Sequence, residues 1–297
     1  MPAPSFFIVG APKSGTTSLN DYLRQHPGLF IPERKELHYF GSDLKFTKSV
    51  RPTREQYLAH FSPAQPGQIA GEASVWYLFS QLAAKEIHDF CPTAKIIVML
   101  RSPADMMYSL HSQYLFESNE DLADFAAALA AEEERSQGRR LPPGSNYREG
   151  LLYRRVARFA EQVTRYLDVF PRGQVHIIDF DDFSRDTPRV FAEVLQFLGV
   201  DSSFRCEFEV RNPNKQVKST PLHNFLNNPG TFAILLGRLI PKSLRRSLVD
   251  RLKKANSPAA PRPPLSAELR AQLNCEFAPE VERLGKLVER DFSRWME

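Results

Sequence analysis

Residues 10–18, GAPKSGTTS, bring two glycines, one lysine and four hydroxyl side chains together. Glycine lets the backbone approach an anion closely, and ammonium and hydroxyl groups donate hydrogen bonds to it. An apolar stretch precedes Gly10 and an amphipathic one follows Thr17, which predicts a strand, a loop and the positive end of a helix. A capped helix start would explain a single threonine but not the whole run. The residues predicted to bind a phosphate-like group are Lys13, Ser14, Gly15, Thr16, Thr17 and Ser18.

The lysine of this loop does not stand where a nucleoside-triphosphate loop has it. The spacing of Gly10, Gly15 and Thr17 matches such a loop, but Thr16 occupies the lysine position. That lysine normally reaches the β and γ phosphates, and a neighbouring strand normally ends in an aspartate that holds magnesium. Here the apolar stretch KIIVML ends in Arg101. The sequence therefore predicts a ligand that carries phosphate groups but needs no metal, which argues against a kinase.

Arg101 and Ser109 form a second candidate anion site. Arg101 ends a predicted strand, and Ser109 lies two turns into the helix predicted to follow. Ligands of parallel sheets bind beyond the carboxyl ends of the strands, and a guanidinium can hold a phosphate through two parallel hydrogen bonds. A structural ion pair for Arg101 and a surface position for Ser109 are the alternatives.

The elements that must position these residues alternate between strand and helix. Strands are predicted at Ser5–Val9, Gln68–Ala73, Lys95–Leu100 and Gln174–Asp179. Helices are predicted at Ser18–Gln25, Arg54–Phe61, Leu78–Phe90, Ala104–Phe116, Leu122–Gln137, Leu151–Phe170 and Pro188–Leu198. This order predicts a three-layer α/β fold, a central parallel sheet flanked by helices. The motif DFDDF at Asp179–Phe183 is interpreted as a strand end and a polar turn rather than a metal site.

The strand signal fades after Gly199, and the rest of the chain is predicted to close the site. A basic amphipathic stretch, Lys242–Lys254, precedes a proline-rich connector and two predicted helices, Ser266–Phe277 and Pro279–Glu289. We expect one domain over residues 1–297, with residues 1–200 as the α/β core and residues 201–297 as C-terminal loops and a helical flap. The basic stretch either packs as a lid or touches an anionic membrane surface.

Composition narrows the class of partner and the compartment. A net charge of +4 and a pI near 8.9 suit a small anion but not a dedicated nucleic-acid binder. Three scattered cysteines argue against a disulfide framework or a zinc site. With neither a signal-peptide pattern nor an apolar run of spanning length, we expect a cytoplasmic protein.

Several motifs resemble the sulfotransferases that use 3′-phosphoadenosine 5′-phosphosulfate (PAPS). The segment PKSGTTSL resembles their 5′-phosphosulfate loop, and LRSPADMMYSLHSQY resembles their 3′-phosphate motif, with Arg101 and Ser109 in the two ligand positions. RKELHYF and the C-terminal segment from PPLSAELR to SRW are similar to the heparan-sulfate-type enzymes and their bacterial carbohydrate sulfotransferase relatives. The resemblance implies a P-loop-like sulfotransferase fold, PAPS as the sulfuryl donor and no metal.

The resemblance also implies roles for single residues. Lys13 would stabilise the negative charge that develops on the bridging oxygen during sulfuryl transfer, or else be a solvated loop lysine. Glu36 and His38 are the two candidates for the base that removes the acceptor proton, and alternation along an extended segment would put them on one side. Arg262 is the nearest match to a basic loop that closes over the nucleotide. Lys35 is predicted either to bind an acidic acceptor or to be solvated.

The segment GEASVWYL departs from the pattern of this branch. Glu72 is retained and is predicted to be a second base or to orient Lys13, whereas Ala73 replaces a lysine that acts in the heparan-type site. Trp76 is predicted to stack on the adenine or the acceptor, or to pack in the core. The predicted function is sulfuryl transfer from PAPS to a hydroxyl of a carbohydrate, glycolipid or small-metabolite acceptor. The alternatives are a metal-dependent P-loop kinase and a non-catalytic nucleotide-binding protein.

Overall fold

A five-stranded parallel sheet forms the centre of the molecule, as the computed structural model shows for the residues that it describes, 2–208 and 262–297. The strands follow the order β2-β3-β1-β4-β5, and every neighbouring pair is parallel. Their bounds are β1 Phe6–Gly10, β2 Leu29–Phe30, β3 Ile69–Ala73, β4 Lys95–Leu100 and β5 Val175–Asp179. The predicted parallel sheet is confirmed. The short β2 was not predicted, because two residues carry no recognisable alternation.

Both faces of the sheet are buried, which explains the continuous apolar runs in its central strands. Successive residues of β1 point to opposite faces, so Phe7 packs in one hydrophobic core and Phe6 in another. Ile96 and Ile97 of β4 divide between the same two cores. The predicted three-layer arrangement is therefore confirmed.

Helices cover the two faces of the sheet. Before the undescribed residues they are α1 Thr16–Leu23, α2 Arg54–Ala59, α3 Ala83–Phe90, α4 Pro103–Phe116, α5 Phe125–Ala130, α6 Glu132–Ser136, α7 Tyr153–Val156, α8 Phe159–Leu167, α9 Phe180–Arg185 and α10 Thr187–Leu198. One further helix, α11, spans Ala267–Val288. The basic stretch Lys242–Lys254 lies outside the described residues.

Several predicted helices are shorter or divided in the structure. The helix predicted from Leu78 begins only at Ala83, and the Ser80 hydroxyl accepts hydrogen bonds from the backbone N–H groups of Leu82 and Ala83 in the turn before it. The helix predicted over 122–137 is divided into α5 and α6, and that predicted over 151–170 into α7 and α8. Hydrophobic periodicity continued through these breaks and concealed them.

The two C-terminal helices predicted on either side of Ala278 are a single helix, α11, with Pro279 inside it. The missing N–H of an internal proline leaves a carbonyl group without its helical partner. Pro279 is exposed, so water can reach that carbonyl, while apolar residues before and after it stay buried. Those residues, Leu273, Phe277, Val281, Leu284 and Val288, join the core on one face of the sheet. The C-terminal helix thus shares a hydrophobic core with the α/β part.

Candidate active site

A cleft of about 720 Å³ opens at the carboxyl ends of β1 and β4. It is lined by most of the residues that the sequence singled out: Lys13, Gly15, Thr16, Thr17, Ser18, Lys35, Glu36, His38, Trp76, Arg101, Ser109 and Arg262. Ser14 and Glu72 do not line it. The Ser14 side chain is fully buried, and its hydroxyl donates to the Pro12 carbonyl at 3.4 Å.

The loop after β1 leads directly into the N-terminus of α1. Gly15 precedes the helix with a φ of 86°, and a Cβ at this position would lie 2.9 Å from the Phe180 ring. No acidic residue occupies the first turn of α1, and no side chain caps it. The positive end of α1 therefore faces the cleft, and no carboxylate in the first turn of this helix neutralises it.

Lys35 lies against this loop. Its Nζ is 3.1 Å from the hydroxyls of both Thr16 and Thr17 and 3.2 Å from Glu36 Oε1. An ammonium group in this position adds positive charge where an anion would bind. The placement supports an anion-binding role for Lys35 beside the one predicted toward an acidic acceptor.

Lys13 is half-buried and has a left-handed backbone, with a φ of 61°. Burial and, to a lesser extent, the positive charge of Arg262 lower the pKa of Lys13 to about 8. The charge of Glu117 acts in the opposite direction. A lysine whose ammonium group is destabilised in this way gains from a bound anion, which would restore its charge.

Arg101, Ser109 and Arg262 form a second group of anion-binding side chains beside this loop, and Arg101 Nη1 donates to the Lys13 carbonyl at 3.5 Å. The Arg262 Nη2 donates to Ser109 Oγ at 3.0 Å, although the two residues are 153 positions apart. The Arg101 guanidinium lies 4.6 Å from the centroid of the Phe180 ring, and its buried Nε has no hydrogen-bond partner among residues 2–208 and 262–297. Burial lowers the pKa of Arg101 and of Arg262. Two desolvated guanidiniums beside a hydroxyl form a site that suits a phosphate.

Glu36 and His38 both line the cleft, but the segment that carries them is not extended as predicted. Their φ values are 63° and 51°, in the left-handed region. The Glu36 carboxylate accepts a hydrogen bond from the Val75 N–H at 3.0 Å and lies 3.9 Å from His38 Nε2. Burial lowers the pKa of His38, opposed by the charge of Glu36, so the ring is neutral at pH 7 and able to accept a proton.

Glu72 lies beneath the cleft and not in it, which does not support contact with a substrate. Its carboxylate accepts hydrogen bonds from the hydroxyls of Tyr57 and Tyr77, both at 3.0 Å, and of Ser74 at 3.2 Å. The Ser74 hydroxyl in turn accepts from the backbone N–H of His38, and the Tyr77 hydroxyl accepts from those of residues 39 and 40. Glu72 therefore anchors the segment that carries the candidate bases.

An aromatic wall lines the part of the cleft near His38. The ring of Phe46 lies 4.2 Å from that of His38 and 4.9 Å from that of Tyr147, which is 4.7 Å from Trp76 (ring centroids). Sequence analysis missed Phe46 and Tyr147, because nothing in their local sequence distinguishes them. It also missed Glu117, which lines the cleft and lies two i,i+4 steps after Ser109 in the sequence. That spacing on a helix already assigned to ligand binding was an available signal.

The carboxylates of DFDDF form ion pairs with the C-terminal segment. Asp182 lies 2.8 Å from Arg294, which also contacts Asp179, and Arg290 binds Asp182 as well. The residues after Asp179 form helix α9 and not a turn, because the Asp179 side chain caps its N-terminus. Among residues 2–208 and 262–297, no cluster of three or more histidine, cysteine, aspartate or glutamate side chains is arranged to bind a metal. No helix in these ranges has the length and hydrophobicity that a bilayer crossing requires.

Two known proteins are similar to this chain in sequence. The chain is 31% identical over 209 residues to mouse bifunctional heparan sulfate N-deacetylase/N-sulfotransferase 4, a match that covers 66% of this chain and 22% of that protein. It is 28% identical over 246 residues to mouse carbohydrate sulfotransferase 15, with 66% of this chain and 44% of that protein covered. The chain thus spans less than half the length of either relative.

A solved structure and a family model extend the comparison. The crystal structure of a sulfotransferase from Alicyclobacillus acidocaldarius matches the fold with a TM-score of 0.75 at 31% identity, over the whole of both chains. The model of the sulfotransferase domain family matches residues 3–231. By this match, the chain belongs to the sulfotransferase domain family.

Proposed function

We propose that this chain transfers a sulfuryl group from PAPS to a hydroxyl of a carbohydrate, glycolipid or small-metabolite acceptor and releases 3′-phosphoadenosine 5′-phosphate (PAP). One observation carries the proposal: a single cleft holds two neighbouring groups of anion-binding residues. The loop from Lys13 to Ser18 forms one, and Arg101, Ser109 and Arg262 form the other. A nucleotide with one anionic group at its 5′ end and another at its 3′ end matches this arrangement.

The loop residues would hold the 5′ end and stabilise the charge that develops there. PAPS, when bound, supplies the SO₃ group that is transferred, and the 5′-phosphate of PAP is the leaving group. The Lys13 ammonium would donate to the oxygen that becomes negative as the S–O bond breaks, a contribution of about 3–4 kcal/mol if it acts as an oxyanion-hole donor does. The hydroxyls of Thr16, Thr17 and Ser18 and the positive end of α1 would orient the non-reacting oxygens.

Glu36 or His38 would remove the proton from the acceptor hydroxyl. The Val75 N–H and Lys35 fix the Glu36 carboxylate at the edge of the cleft, and the neutral His38 ring lies beside it. Either Glu36 Oε or His38 Nε2 can accept the proton, and the neighbouring group can then stabilise the protonated one. Through Ser74 and Tyr77, Glu72 would hold both in position.

The acceptor class rests on the relatives and on the cleft. The relatives reported above are named for heparan sulfate and carbohydrate substrates. Aromatic rings with a few polar groups, as at Trp76 and Tyr147, are typical of a site for a small organic ligand. Ala73, in place of the lysine of the heparan-type site, argues against a heparan-like polymer.

Titration calorimetry without added metal tests the donor. We expect PAP to bind more tightly than ADP, because Arg101, Ser109 and Arg262 would bind the 3′-phosphate that ADP lacks. Arg101→Ala should remove most of this preference, while Arg189→Ala, an exposed arginine paired with Glu193, should keep it. Tighter binding of Mg²⁺–ADP than of PAP would contradict the proposal and favour a kinase.

A further inference from the structure

Glu117 places a carboxylate at the mouth of the cleft, directly after α4. Gln113 Nε2 donates to one of its oxygens at 2.6 Å, and Asn119 Nδ2 donates to the other at 2.9 Å. Both donors are neutral amides, which orient the carboxylate without cancelling its charge. The side chain is exposed and lines the same cleft as Lys13 and His38.

The backbone around Glu117 is fixed in place. Asn119 is buried, and its side-chain oxygen accepts a hydrogen bond from the Asn146 N–H at 3.1 Å. Ser118 has a φ of 57°, a left-handed conformation that non-glycine residues seldom adopt. Glu117 itself ends α4 with ordinary helical torsions, and the fixed positions of Ser118 and Asn119 hold the chain that follows it.

The charge of Glu117 raises the pKa of Lys13, but the anionic groups of the donor nucleotide offer this carboxylate no partner. PAPS is strongly anionic, and the groups proposed to bind it are cationic or hydroxyl-bearing. A negative charge in the same cleft disfavours anions, and a carboxylate accepts hydrogen bonds but donates none. A ligand that binds Glu117 in the cleft therefore carries hydrogen-bond donors, as the hydroxyl and ammonium groups of an acceptor do.

We propose that Glu117 determines acceptor specificity: it binds hydroxyl or ammonium groups next to the sulfated oxygen and disfavours acceptors with an anionic group there. This inference rests on the proposed sulfuryl transfer. The aromatic wall of Phe46, Tyr147 and Trp76 would pack against the apolar face of the same acceptor. The acceptor class is accordingly neutral or amino-bearing rather than polyanionic.

Three glycosides with one aglycone test this inference: octyl β-glucoside, octyl β-glucosaminide and octyl β-glucuronide. The measurement is the initial rate of SO₃ gain by mass spectrometry with PAPS as the donor. We expect the wild type to sulfate the glucuronide at least about fivefold more slowly than the other two, the effect of one nearby like charge in water. Glu117→Gln should remove this difference, and Glu117→Lys should reverse it.

A matched control and a nucleotide measurement separate the possible failures. Glu282→Gln removes an exposed carboxylate that Lys286 binds on α11 and should leave the order of rates unchanged. The inference is wrong if the wild type binds PAP but sulfates the three glycosides at equal rates. It is also wrong if the wild type binds PAP and sulfates none of them. An unchanged order in Glu117→Lys also overturns it. If the wild type binds no PAP, the proposed function fails and the inference falls with it.

Discussion

The burial of Glu72 leads to a prediction about how the free energy of unfolding depends on pH. Burial raises its pKa from 4.5 to about 7, although the Tyr57, Tyr77 and Ser74 hydroxyls favour the charged form. At about 1.36 kcal/mol per pH unit, this difference corresponds to about 3 kcal/mol. Folded protein keeps the Glu72 proton up to about pH 7, whereas unfolded chain releases it near pH 4.5. Between these values the folded state binds more protons, so this residue's contribution to the free energy of unfolding falls as the pH rises.

Glu72→Gln removes the titration and keeps a side chain of the same size. Urea unfolding of both proteins between pH 4.5 and pH 8 measures the effect. Relative to the variant, we expect the wild type to lose about 3 kcal/mol of unfolding free energy across this range, most of it below pH 7. Glu282→Gln, which removes an exposed carboxylate, serves as the control and should show no comparable loss. Parallel curves for wild type and Glu72→Gln would refute the argument that Glu72 carries a proton in the folded protein.

Three further predictions concern catalysis and binding. Lys13→Ala should lower turnover by about 10²–10³-fold, while the affinity for PAP falls less. The control Lys85→Ala, which removes an exposed lysine paired with Asp89, should leave turnover and affinity unchanged. An unaltered rate in Lys13→Ala would show that Lys13 takes no part in the mechanism. Because the pKa of Lys13 is about 8 and a bound anion raises it, PAP binding at pH 8 should take up about half a proton, less at pH 6.5, with affinity falling above pH 8. Calorimetry in buffers of different ionisation enthalpy measures this uptake, which Lys13→Ala should abolish. Tyr77→Phe leaves the backbone N–H groups of residues 39 and 40 without their acceptor. The free energy of unfolding should therefore fall by about 1–3 kcal/mol, and turnover should fall as well. Full activity would show that other contacts hold the segment that carries Glu36 and His38.

Local signals were enough to predict the strands and the phosphate loop. The apolar run before Gly10 and the hydroxyl-rich turn after it are set by adjacent residues, and the structure contains both. Helix ends were harder, because side chains from elsewhere set them. Ser80, for example, bonds Asp43 as well as the start of α3. The sequence predicts a helix boundary at Pro279, but its exposed position lets the helix continue.

The site was predictable where a motif is contiguous and less so where it is assembled by the fold. Arg262 was placed near the nucleotide by resemblance alone, and its contact with Ser109 joins distant parts of the chain. The position of Glu72 below the cleft depends on the tyrosines that surround it, one of which, Tyr57, comes from helix α2. Phe46 and Tyr147 become neighbours only after the intervening helices pack.

The left-handed residues in the cleft limit how this protein can be redesigned. At Lys13, Glu36 and His38 the main chain orients the side chain, and asparagine, aspartate and glycine accept such torsions most readily. Mutant libraries built on valine, isoleucine or threonine at these positions would mix unfolding with altered chemistry. Libraries restricted to the tolerant amino acids should instead return variants that differ in activity while keeping their expression level.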